Sequence, residues 1–203
     1  EESCFKNYLT DRGRPILQGR IHTIKAFEPN KIYIGSDQGL TLFDPSTQKY
    51  ITTSYNRNNS SSLSDDFVYD ILKDNEGGLW ITTYCGGINY SNPNSSNFTI
   101  RHCATESARG RIISKFHEDK NGDIFIGTDD GGLFIYNPIK DKCHRYTIDK
   151  SNPNLNIHAI WSNDTYLWIG TYSKGLYRIN HKTKYVEHIP YFEKDGITNE
   201  SIY

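Results

Sequence analysis

The sequence predicts an all-β fold: a β-propeller of about four blades, each a four-stranded antiparallel sheet, with partial strands at both ends and cut from a larger propeller. A recurring segment, regular turn signals and a strand-forming composition predict it. The segments Lys31-Ile-Tyr-Ile-Gly35, Leu79-Trp-Ile-Thr82, Asp123-Ile-Phe-Ile-Gly127 and Tyr166-Leu-Trp-Ile-Gly170 are alike. Anchored on Ile34, Ile81, Ile126 and Ile169, they recur at steps of 47, 45 and 43 residues, the length of a propeller blade or a two-helix repeat. Composition favours the blade, because 15 Tyr, 9 Phe and abundant Ile, Thr, Asn and Gly suit strands joined by tight turns.

Each unit opens on two apolar residues three apart: Ile21 and Ile24, Val68 and Ile71, Ile113 and Phe116, Ile157 and Ile160. That spacing also suits a helical turn, but breakers follow too soon, at Glu28-Pro-Asn, Asp74–Gly78, Asp119–Asp123 and Asn163-Asp-Thr. A second strand carries Tyr33, Trp80, Phe125 or Trp168, and their repeated position predicts packing between blades. The third strand starts near Gly39, Gly87, Gly132 or Gly175. It stops at Asp44-Pro45, Asn92-Pro93 and Asn137-Pro138, where proline cannot donate to a ladder, or at Asn180-His181. A polar outer strand ends near Tyr50, Phe98, Tyr146 or Tyr185.

The expected divisions are an outer strand and connection over 1–20, blades over 21–63, 64–110, 111–155 and 156–197, and an inner strand over 198–203. Within the first and last pieces, Cys4–Tyr8 reads as an outer strand of a preceding blade and Asn199–Tyr203 as an inner strand of a following one. Those two cannot complete one blade between them. Exposed blade faces would therefore meet another copy or the remaining blades of a parent ring. The tract Asn56–Ser64 reads as a flexible surface connection.

The consensus is an apolar strand, Asp-x-x-Gly, Leu-Trp-Ile-Gly-Thr, then Gly-Gly-Leu-x-x-Tyr-Asn-Pro. It resembles the two-component regulator propeller repeat, carried best by Asp119–Pro138 and Asp74–Pro93, with Tyr166–Asn180 a further copy. The first unit departs from it with Ser36 and a single Gly39. The resemblance covers roughly residues 16–203. It implies the periplasmic, dimeric sensor of a hybrid two-component system in glycan-degrading gut bacteria, recognising an oligosaccharide or similar nutrient and signalling across the membrane to a histidine kinase. The kinase, membrane and DNA-binding parts of such proteins are not in this sequence.

Charge is balanced, 23 basic against 24 acidic residues, so no basic excess recommends nucleic acid or an anionic membrane as partner. No apolar run is long enough to span a bilayer as a helix. Cys4, Cys85, Cys103 and Cys143 contain no CxxC pair; they match no zinc motif and leave compartment and pairing open. The seven histidines show no HxH or HExxH spacing, and no nucleophile elbow, P-loop or Rossmann fingerprint occurs. Asp119–Asp123 keeps a hairpin turn without the alternating ligands of a calcium loop. Neither a metal, a cofactor nor a catalytic set is therefore expected, and the chain reads as a binding module, not an enzyme.

Variable residues between the second and third strands, and the blade-to-blade connections, share one face of a propeller. Asp37, Tyr84, Asp129, Asp130 and Tyr172 from the turns, Arg109 and Arg111 from a connection, and His158 from an inner strand are the candidate ligand residues. Tyrosine beside carboxylate and arginine suits a neutral sugar or uronic acid. Each turn and connection residue also reads as an ordinary solvated one, and His158, which could line the axial channel, as a satisfied or solvated histidine. Two rival functions share the fold: a lyase-type enzyme with His158, Asp129 and Arg111 clustered, and a protein-interaction scaffold with a broad apolar face.

Overall fold

A computed structural model describes residue 17 and residues 19–94, 97–101, 103 and 112–189. The terminal strands expected over 4–8 and 199–203 lie outside the described residues, as do Arg109 and Arg111.

Sixteen strands form four sheets, and no helix occurs among the described residues. Blade 1 holds β1 (Ile21–Glu28), β2 (Lys31–Ser36), β3 (Gly39–Asp44) and β4 (Lys49–Thr53). Blade 2 holds β5 (Val68–Lys73), β6 (Leu79–Thr83), β7 (Gly87–Ser91) and β8 (Phe98–Arg101). Blade 3 holds β9 (Ile113–Glu118), β10 (Ile124–Thr128), β11 (Leu133–Asn137) and β12 (Lys142–Tyr146). Blade 4 holds β13 (Ile157–Ser162), β14 (Tyr166–Thr171), β15 (Leu176–Asn180) and β16 (Val186–Ile189). Every sheet is an antiparallel meander in chain order, so the all-β prediction of four-stranded propeller blades holds.

Side chains make the tight turns. Asp74 accepts the Glu76 and Gly78 amides at 3.1 and 2.6 Å, and its second oxygen takes the Trp80 indole N–H at 2.7 Å. Asp119 accepts the Asn121 and Asp123 amides at 2.8 and 3.0 Å, so that carboxylate is spent on its own hairpin. The turn between the second and third strands of each blade is locked by one repeated device. Thr128 and Thr171 donate to the carbonyls of Gly132 and Gly175 at 2.8 and 2.7 Å, and Ser36 and Thr83 make longer versions of the same bond.

The core lies between blades. Val68, Ile71 and Ile81 pack with Leu40 and Leu63 between blades 1 and 2. Trp80, Ile113 and Ile126 centre the cluster between blades 2 and 3, and Ile157, Leu167 and Ile169 meet Phe125 and Leu133 between blades 3 and 4. Tyr33, Trp80 and Phe125 therefore pack as their repeated position predicts. Trp168 belongs to the last described blade, and the Arg178 guanidinium lies 5.3 Å from its ring centre and 4.7 Å from that of Tyr166.

The Asn56–Ser64 connection also differs from its composition. Leu63 is buried in the core, Ser61 accepts the Phe98 amide at 3.0 Å, and Ser64 exchanges hydrogen bonds with Asn89 at 2.8 and 2.9 Å. Polar side chains satisfy the loop backbone while one leucine anchors it, which composition alone does not reveal.

Candidate functional site

The site is built by one irregularity repeated four times. Each innermost strand carries a β-bulge at the residue after its first apolar anchor: His22, Tyr69, Ser114 and His158 fall between paired neighbours of the second strand. A bulge breaks the alternation of faces and re-aims its side chain. Beside each bulge stands the first residue after the second strand: Asp37, Tyr84, Asp129 or Tyr172. These four are held identically, their amides donating to the carbonyls of Arg20, Phe67, Ile112 and Asn156 at 3.0–3.1 Å. The turns between second and third strands and the blade entries thus share one face.

Two linked runs result. In blades 1 and 2 the His22 imidazole meets Asp37 at 2.5 Å and stacks on Tyr69, ring centres 4.5 Å apart and planes 10° apart. Tyr69 stacks in turn on Tyr84 at 5.8 Å, and Phe67 flanks Tyr84 at 6.3 Å. In blades 3 and 4, His158 lies 3.7 Å from Asp129 and 5.7 Å from the ring of Tyr172. Ser114, the smallest bulge residue, donates instead to the Ile157 carbonyl of the next blade.

Electrostatics join the runs. Burial and then the nearby Asp129 carboxylate raise the Tyr69 phenol above its usual range, so Asp129 of blade 3 acts on blade 2. Burial raises the Asp129 carboxyl, with Asp130 adding repulsion and His158 opposing both. The pairing with His22 lowers the Asp37 carboxyl. The face combines exposed aromatic rings (Phe67, Tyr84, Tyr172) with carboxylates, an arrangement able to stack against a sugar ring and accept hydrogen bonds from its hydroxyls.

The structure therefore brings Asp37, Tyr84, Asp129, Tyr172 and His158 to one face, with Asp130 adjoining. It adds His22, Tyr69 and Phe67, which the sequence reading did not place in the site. Their signal is the register itself: Ile21-His22, Val68-Tyr69, Ile113-Ser114 and Ile157-His158 occupy equivalent positions. No group of three or more His, Cys, Asp or Glu side chains forms a metal-holding set among the described residues.

The family model of the two-component regulator propeller matches residues 62–85, from the end of the first connection through β5 and β6 to the exposed Tyr84. This stretch resembles a two-component regulator propeller repeat. The other three blades share the repeat's turns and bulges in register. Solved structures share the fold. The extracellular domains of two hybrid two-component systems of B. thetaiotaomicron superpose with TM-scores of 0.59 and 0.58 at 20% and 19% identity. These alignments cover 96% and 89% of this chain and 32% and 31% of those. PorZ, a surface component of the type-IX secretion system of Porphyromonas gingivalis, superposes at 0.66 with 13% identity, over 98% of this chain and 31% of its own. The chain thus spans about a third of the length of each of these structures. No curated protein sequence matches it.

Proposed function

We propose that this chain is part of the extracytoplasmic, periplasmic sensor of a hybrid two-component system, binding an oligosaccharide on the bulge face without performing chemistry on it. The observation that carries the reading is the bulge row, which gathers aromatic rings and carboxylates from the four repeats on one face. The regulator propeller repeat and the folds of the sensor domains support the sensing role. The disulfide between Cys103 and Cys143 supports an oxidising compartment. Binding would shift a dimer between two arrangements, and that difference would reach a histidine kinase across the membrane.

Calorimetry of the parent protein with a panel of oligosaccharides tests this reading. The expected result is saturable binding with the glycan recovered intact, weakened at least about tenfold by Tyr69→Ala or Tyr84→Ala. Cleavage of the bound glycan overturns the no-chemistry claim. The approach of His158 to Asp129 favours a lyase-type enzyme as the second reading, and product formation lost in His158→Ala would support it.

A further inference from the structure

The bulge face carries two carboxylates at equivalent positions, and their surroundings differ. Asp37 of blade 1 is engaged through both oxygens: one meets the His22 imidazole at 2.5 Å, and the other accepts the Arg20 amide at 3.3 Å. Asp129 of blade 3 accepts no hydrogen bond from any described residue. His158 Nε2 lies 3.7 Å from it, beyond hydrogen-bonding distance. A half-buried carboxylate in that condition gains from any donor brought to it.

Position gives Asp129 its leverage. Tyr84, Asp129 and Tyr172 stand at the same place in three successive blades, their amides bonded to Phe67, Ile112 and Asn156 at 3.0, 3.1 and 3.0 Å. The order across the face is therefore exposed ring, carboxylate, exposed ring. Tyr69 already stacks on His22 and on Tyr84, which leaves Tyr84 and Tyr172 as the more open platforms. The turn that carries Asp129 is fixed as well, since the Thr128 hydroxyl accepts the Gly131 amide at 3.0 Å and donates to the Gly132 carbonyl at 2.8 Å. A ligand that touches both tyrosines must pass over Asp129. Hydroxyls laid there would donate to the carboxylate, whereas a second anion would meet it at short range, with Asp130 adjoining. Burial and Asp130 already raise the Asp129 carboxyl, so the site resists even its own charge.

We propose that Asp129 determines specificity on the bulge face, so that the site takes a neutral oligosaccharide lying across Tyr84 and Tyr172 with hydroxyls donated to Asp129, and turns away a uronic acid in the same place. The residue types alone left neutral and acidic sugars both open; the placement of Asp129 between the two rings separates them. This assignment rests on the oligosaccharide reading and narrows it.

Calorimetry of the parent protein with matched pairs of glycans tests the proposal. The probes are maltotriose, cellotriose and mannotriose, each beside its counterpart oxidised at C6 to the uronate. A neutral member should bind and its oxidised counterpart should bind at least about tenfold more weakly, with the gap narrowing as salt is raised. Asp129→Asn keeps the shape and an acceptor but removes the charge. It should weaken the neutral glycan by up to about tenfold and bring the oxidised one to within about threefold of it. Asp37→Asn should leave most of the gap in place, because that carboxylate is already engaged by His22 and Arg20. Equal or tighter binding of an oxidised glycan, or a gap that persists in folded Asp129→Asn, overturns the assignment and leaves the oligosaccharide reading standing. Absence of binding throughout both series counts against that reading itself, and the assignment falls with it.

Discussion

Asp70 binds three blades through one carboxylate. Only 2% exposed, it accepts the Thr23 hydroxyl and the Lys25 ammonium of blade 1, each at 3.2 Å, and the Phe116 amide of blade 3 at 3.1 Å. Replacing it by alanine strands a buried N–H and cuts both ties. Asp70→Ala should cost about 2–4 kcal/mol, measured by urea unfolding, with Asp70→Asn milder because it keeps an acceptor. Glu28 illustrates the pH side of such contacts. Hydrogen bonds from Lys31 and Lys73 lower its carboxyl to about 2. A lowered carboxyl contributes stability above its unfolded value, and this is lost as pH falls toward about 2. Glu28→Gln should therefore flatten the acid limb of a stability-versus-pH curve. Asp129 has the opposite sign: its raised carboxyl contributes stability at low pH that fades as pH rises through its folded value. Asp129→Asn should accordingly leave stability at neutral pH unchanged or higher while weakening a neutral glycan on the bulge face, which separate unfolding and binding titrations can read.

At the level of the strand, the Ile-Gly segment ending the second strand reports a close approach between blades. A Cβ on Gly127 would lie 2.7 Å from Ile157 Cγ2, and one on Gly35 would lie 2.7 Å from Val68 Cγ1. Each neighbour is the first apolar anchor of the next inner strand, so the glycine lets that strand seat against it. Gly127→Ala should destabilise by about 1–3 kcal/mol, seen as a lower melting temperature. The equivalent residue of blade 2 is Thr82, fully buried, whose hydroxyl accepts the Asp70 amide at 2.7 Å. The bulges belong to this scale too. The apolar anchors before them were legible as a period, but the bulge itself is a pairing shift visible only when the second strand is in place. The expected turn residues Asp37, Tyr84, Asp129 and Tyr172 were therefore identifiable, while Tyr69 and His22, which complete the surface, were not.

Across the molecule, stability is divided among three inter-blade clusters, and one covalent tie spans the second of them. Cys103, just beyond β8, is bonded to Cys143 in β12, joining the outer strands of blades 2 and 3 across a separation of 40 residues. Reduction, or Cys103→Ser with Cys143→Ser, should lower stability by about 2–4 kcal/mol, and reductant should then have no further effect on the double variant. Loss of this tie should loosen the blade 2–3 wedge, and with it the distance from Tyr69 to Asp129 over which the two halves of the bulge row interact. Ligand affinity on that face should fall together with stability.

The order of strands, the four blades and the turn chemistry were determined by the sequence itself, because each is a local pattern repeated at a fixed period: alternation, Gly and Asn turns, and apolar anchors in register. The tertiary structure alone decided which repeats differ in consequence. Trp80 is buried between blades 2 and 3, Asp70 ties blade 2 to both of its neighbours, and Leu63 enters the blade 1–2 core from a polar loop. The bulge face likewise exists only once four sheets stand side by side, since its contacts join residues up to 47 positions apart, as between His22 and Tyr69. Local periodicity specifies each blade. Which side chains meet between blades depends on their lengths and on the gap each pair leaves.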